Sequence, residues 1–146
     1  MIERVTRDLL GAKEILYLRD MLRQALAHCP VGDVHASQGQ DYLGWYCRTP
    51  EPLGITLWIG MYFAYPDRLW IEYCEDFTSE DLGRIVQVAG IRAEVGSPPT
   101  GTRSKVYFSL ETLGYFEVGV EDQCSMLRET LDKLISSGMS IRRGQH

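Results

Sequence analysis

Between Ile55 and Ala64 the chain alternates without a break. Ile55, Leu57, Ile59, Met61 and Phe63 fall on one parity, and Thr56, Trp58, Gly60, Tyr62 and Ala64 on the other. Successive side chains of an extended strand point to opposite faces, so this run predicts a strand with one aliphatic and one aromatic face. Wound as a helix, the same residues would scatter around the circumference. Two further runs flank it, Tyr42–Arg48 ending before Pro50 and Pro52, and Leu69–Glu75 following Pro66-Asp67. Short connections that contain proline suit antiparallel hairpins, because proline has no N–H for a ladder. The expected unit is a three-stranded meander over 42–75.

Helices are expected on either side of it. Residues 6–29 repeat apolar side chains at three- and four-residue steps (Leu9, Leu16, Leu18, Leu22, Ala25, Leu26 and Cys29), with Thr6 as N-cap and Pro30 and Gly32 as the stop. Residues 31–41 lack periodicity and read as a loop. The sharpest local signature is Thr78 with Asp81 three residues on, flanked by the staple pair Phe77 and Leu82, which predicts a helix ending at Gly90. Residues 92–103 read as irregular. Lys105–Glu111 and Tyr115–Val120 read as strands joined by Thr112-Leu113-Gly114. A last helix starts near Glu121-Asp122, carries Cys124, Leu127, Leu131, Leu134 and Ile135 inward, and ends at Gly138. The prediction is therefore α+β, a mostly antiparallel five-stranded sheet with three helices in the order α-β-β-β-α-β-β-α. A single domain over 1–138 is expected, with 139–146 as a flexible tail.

Composition narrows the function classes. The 146 residues carry a net charge of -5, and hydrophobic residues make up 45%. Those values fit a folded domain and not a disordered or fibrous chain. No basic cluster exists beyond Arg142-Arg143, so the phosphate neutralisation that drives nucleic-acid binding has no counterpart here. No apolar run approaches the ~18 residues of a membrane span. The four cysteines, Cys29, Cys47, Cys74 and Cys124, form no C-x-x-C and no disulfide framework. Without an export signal, they point to the cytoplasm.

Catalytic and ligand motifs fail on chemistry. Gly96-x-x-x-x-Gly101 is followed by Thr102-Arg103, not by the Lys-Ser/Thr that a phosphate loop needs, and Pro98 and Pro99 remove two donors from the cradle. Pro66-Asp67 with Glu72 lacks the strand lysine of a metal-dependent nuclease core. His28 and Cys29 adjoin on a helix end and diverge by about 100°. Asp33 and His35 add only a loop cluster. No G-x-S-x-G elbow is present. The carboxylate pairs Glu75-Asp76, Glu80-Asp81 and Glu121-Asp122 sit where caps and helix dipoles explain them. No catalytic residue, metal ligand or cofactor is assigned.

What remains is the aromatic parity. Of 15 aromatic residues, 14 lie between Tyr42 and Phe116. Sorted by face, Trp58, Tyr62, Trp70 and Tyr107 share one side of the sheet with Arg68, Glu72, Lys105 and Glu111. Trp, Tyr and Arg combine large apolar area with a polar handle and are enriched at interface hot spots. Trp58, Tyr62, Arg68, Trp70, Glu72 and Tyr107 are thus the expected partner-binding residues of a non-enzymatic interaction protein. A dedicated chaperone, an adaptor or an inhibitor such as a phage or plasmid counter-defence factor would fit, working with a protein partner and as a homodimer. The alternative is a small enzyme or ligand binder with a pocket near the 92–103 loop. In element order, size and acidic balance the chain resembles class I type III secretion chaperones, which implies a cytoplasmic α/β dimer.

Overall fold

The computed structural model describes residues 2–8, 11–99 and 103–144. It is α+β, with six strands in one antiparallel sheet and four helices, where the sequence predicts five and three. The elements are α1 (Ala12–Leu26), β1 (Gly32–Gln38), β2 (Tyr42–Arg48), β3 (Thr56–Tyr62), β4 (Arg68–Tyr73), α2 (Ser79–Ala89), β5 (Glu94–Gly96), β6 (Lys105–Ser109), α3 (Leu110–Leu113) and α4 (Val120–Gly144). The strands lie in the order β1-β2-β3-β4-β6-β5.

The meander forms as the alternation predicts. In β3, Leu57, Ile59 and Met61 join Leu69, Ile71, Val106 and Phe108 in one core with Leu18, Leu22 and Leu26 of α1, Leu82 and Ile85 of α2, and Leu127, Leu131 and Leu134 of α4. Burying such aliphatic side chains stabilises by roughly 1.5–3 kcal/mol each, so this face outweighs the other determinants. The capping box also forms as expected. Thr78 accepts from the Asp81 N–H and Asp81 accepts from the Thr78 N–H, both at 3.0 Å. Gly90 closes α2 in the left-handed region at φ 66.

Five expectations are corrected. The first helix starts at Ala12 with Gly11 as its cap, not at Thr6, whose N–H instead donates to Glu14 of the helix at 2.8 Å. Leu9 lies outside the described residues. Leu16 points away from the core, half-exposed. The 31–41 loop contains β1, an outer strand exposed along most of its length and hence without the alternation that marks a buried face. Within 92–103, Glu94–Gly96 forms the short β5 against β6; Gly101 and Thr102 lie outside the described residues.

The fourth correction concerns 110–120, which is helical and not a strand. Ser109 caps α3 by accepting from Thr112 N–H at 3.2 Å, and Gly114 at φ 80 reverses the chain into a 3-10 turn over Tyr115–Glu117. Tyr115 and Phe116 are both buried although adjacent, a pattern a half-exposed strand cannot give. Gln123, fully buried, donates to the carbonyls of Tyr115 (3.0 Å) and Val5 (2.7 Å) and accepts from Val5 N–H (2.9 Å). This one amide pins the N-terminal segment to the start of α4. The last helix also passes Gly138 and runs to Gly144, where the sequence predicts a tail from 139; residues 145 and 146 lie outside the described set. Gly138 is buried mid-helix because a Cβ there would stand 2.5 Å from the Tyr73 ring. Tyr73 in turn donates to the Leu134 carbonyl at 2.7 Å.

Candidate functional site

The opposite face of the sheet holds a second, separate cluster. Trp58, Tyr62 and Trp70 form its centre, and Tyr42, Tyr46 and Tyr107 pack around them. Every one of these is a ring on the sheet itself. Among the described residues no helix contributes to it, since the buried side chains of α1, α2 and α4 belong to the aliphatic core.

Register explains how the rings fit. Tyr46 stands opposite Trp58, and Trp58 opposite Glu72. In the next row Gly44 faces Gly60, Gly60 faces Trp70, Trp70 faces Tyr107, and Tyr107 faces Glu94. A Cβ on Gly60 would lie 2.8 Å from the Trp58 ring, and one on Gly44 the same 2.8 Å. Trp58 therefore lies across a two-glycine gap in the pleated surface. From there the rings run on in contact: Trp58 to Tyr62 at 5.5 Å, Tyr62 to Trp70 edge-on at 5.4 Å, and Trp70 to Tyr107 at 4.6 Å. Such pairs add about 0.5–1.5 kcal/mol each beyond their burial. Trp58, Tyr62 and Trp70 are only 3%, 5% and 1% exposed, so they form the buried floor of this face. The Trp70 Nε1 donor has no hydrogen-bond partner among the described residues.

Charge surrounds this floor. The Arg68 guanidinium sits between the Tyr65 ring at 4.5 Å and the Tyr107 ring at 4.8 Å. Tyr107 donates to Glu94 at 2.5 Å, and this bond to a carboxylate, ahead of desolvation, raises its phenol pKa. Lys105 is buried, with its Nζ 3.8 Å from Glu72 and 5.9 Å from the centre of the Tyr62 ring. Burial lowers its pKa, and Glu72 acts in the opposite direction. Cys74, on the same strand parity as Glu72, has its thiol pushed up to about 11, chiefly by burial, and so stays protonated at neutral pH.

The six sequence-derived residues therefore converge on one face, but in two tiers. Trp58, Tyr62 and Trp70 are floor. Arg68, Glu72 and Tyr107 are half-buried rim. Sequence reasoning missed Tyr42, Tyr46 and His35 as members; His35 stacks on Tyr46 at 5.7 Å. Tyr46 shares its parity with Tyr42 around Gly44 and was within reach of the same alternation argument. His35 was not, since β1 itself was unread.

No three His, Cys, Asp or Glu side chains converge on a common point among the described residues. No described helix is long and apolar enough to cross a membrane. A groove of about 310 Å³ beside β5 and β6 is lined by Arg92, Glu94, Tyr107, Ser109 and Thr112. Comparison of the chain with protein-family models, with curated proteins and with solved structures yields no match.

Proposed function

We propose that this chain is a non-enzymatic interaction protein that binds a protein partner through the aromatic face of its sheet. The observation that supports this reading is a ring cluster on the sheet face away from the helices, bordered by half-buried Tyr42, Tyr46, Arg68, Glu72 and Tyr107. Interface hot spots combine such rigid aromatics with arginine around a dry centre. The floor rings set the shape of the surface, and the rim makes the contacts. A chaperone, an adaptor or an inhibitor would each use the face in this way, from the cytoplasm and as a homodimer.

The tiering decides which variants test the idea. Truncating Trp58 or Trp70 would empty a packed layer and cost about 3–5 kcal/mol, confounding binding with folding. Rim substitutions avoid this. Tagged wild-type protein and a Tyr46→Ala/Arg68→Glu/Tyr107→Ala variant are compared for capture of proteins from the native host, read by mass spectrometry. One partner retained by wild type and lost by a folded variant supports the reading; equal capture by both overturns it.

The groove beside Arg92 and Glu94 favours a second reading, a small-ligand binder or enzyme with its pocket near the 92–103 loop. A thermal-shift screen with nucleotides and divalent metals separates the two, because a ligand that binds only the folded state raises the melting temperature.

A further inference from the structure

Among the described residues β1 is the outer strand of the sheet and pairs only with β2. Its register shows which backbone groups face outward. Gly39 N–H donates to the Tyr42 carbonyl, and across β2 Phe63 N–H donates to the Asp41 carbonyl, both at 3.0 Å. Bonded and non-bonded pairs alternate along an antiparallel ladder. His35, Ser37 and Gly39 therefore turn their N–H and C=O groups toward β2, while Ala36 and Gln38 turn theirs outward. The side chains alternate in step. His35 stacks with Tyr46 on the aromatic face, so Ala36 and Gln38 lie on the helix face.

On that face the edge adjoins an apolar groove of about 330 Å³, lined by Ile15, Leu16, Arg19, Gln38, Leu43 and Phe63. Leu16 is 44% and Phe63 37% exposed, two of the four large hydrophobic side chains that stand out among the described residues. Farther along α1, Arg23 lies 5.8 Å over the ring of Trp45, the cross-strand neighbour of Ala36. Arg23 forms no ion pair among the described residues, whereas Arg19 is held by Asp20 at 2.9 Å. Edges of this kind are usually blunted by lysine, proline or a bulge. Gly32–Gln38 contains neither residue, and its one irregularity, at Asp33 with φ 52, protects only the first half.

We propose that β1 accepts an extended segment of a partner protein as an added antiparallel strand, with an apolar side chain opposite Gln38 and an acidic one opposite Ala36. The segment completes the outward hydrogen bonds of Ala36 and Gln38. Its apolar side chain packs over Gln38 at the outer mouth of the groove beside Leu16, and its carboxylate answers Arg23. Strand addition draws affinity from backbone bonds and specificity from alternate side-chain pockets. A second copy of this chain fits less well, because symmetric pairing about Ala36 would set Val34 opposite Gln38 but only Ala36, with no carboxylate, opposite Ala36.

The test is independent of the aromatic-face reading. The isotope-labelled full chain is titrated with the blocked peptide Thr-Thr-Leu-Thr-Glu-Thr-Thr and followed by amide chemical shifts. Saturable shifts are expected at Ala36 and Gln38 but not at Tyr46 or Tyr107. Affinity should fall about tenfold when lysine replaces the peptide glutamate, and by a similar factor in Leu16→Ser. Ala36→Pro removes only an outward N–H and should abolish binding while the β1–β2 ladder persists. The proposal is overturned by an absence of saturable shifts at millimolar peptide, or by undiminished affinity in Leu16→Ser. Self-association of the wild type that Ala36→Pro abolishes would overturn it too, by assigning the edge to a second copy.

Discussion

Gly44 and Gly60 face each other across β2 and β3, and the indole of Trp58 occupies the space their missing side chains leave. A Cβ on Gly60 would stand 2.4 Å from the Leu43 carbonyl oxygen and 2.6 Å from the Gly44 Cα, both backbone atoms that cannot swing aside. Gly60→Ala should therefore destabilise by about 2–3 kcal/mol and shift the tryptophan fluorescence, as overpacking displaces the ring. Gly83 provides the contrast. It lies inside α2 with nothing within 4 Å of its virtual Cβ. Gly83→Ala should stabilise by about 0.5–1 kcal/mol in denaturant melts, through the lower backbone entropy of the unfolded chain. The strand alternation places Gly60 between Trp58 and Tyr62 on the aromatic face, which alone marks it as a point of close approach. What approaches it was not readable, because the pairing of Gly44 with Gly60 depends on register.

Elements differ in how much of their cause is local. In α2 it is nearly all local: Thr78 and Asp81 exchange bonds with each other's backbone, and Arg84 pairs with Asp81. Thr78→Ala should cost about 1 kcal/mol and lower the melting temperature by about 2–4 °C. β3 was equally readable, since each of its faces meets one environment. β1 was not, because an outer strand exposed on both faces carries no periodic signal. The turn at Tyr115–Glu117 failed for another reason. The backbone carbonyls of its two buried aromatics are held by side chains from elsewhere, Tyr115 by the Gln123 amide and Phe116 by Arg4, contacts set by tertiary structure alone. Gly138 read as a helix stop because glycine usually ends helices. Here it lets α4 approach Tyr73, and the helix continues. Of the candidate site, parity recovered the central rings and much of the rim, but not their division into floor and rim, which needs the packing of rings over glycines.

At the scale of the whole molecule the sheet separates two hydrophobic layers, and each carries buried titratable groups. Tyr73 and Tyr115 lie in the helix-side core, where burial raises both phenol pKa values above the ordinary 10.0. Above pH 10 the unfolded chain loses these protons first, so stability falls as pH rises. Lys105, in the aromatic layer, acts with the opposite sign. Its pKa is lowered from 10.5, so below that value the unfolded chain holds more protons than the folded one, and stability rises with pH through this window. Cys29, Cys47 and Cys74, whose thiols burial pushes up from 9.0 to about 11, 12 and 11, add to the fall above pH 9. Denaturant midpoints measured from pH 7 to 11 should therefore drop above pH 9, and Lys105→Met should steepen that drop. A flat profile in both proteins would contradict the burial assigned to these groups.

The two-tier face is most directly tested by hydroxyl-radical footprinting of the protein alone and with its captured partner. The account predicts rapid oxidation of Tyr46 and Tyr107 in the free protein, slow oxidation of Trp58 and Trp70, and protection of the two tyrosines on binding. Tyr46 and Tyr107 that are already unreactive in the free protein, or that react equally in the complex, would contradict it.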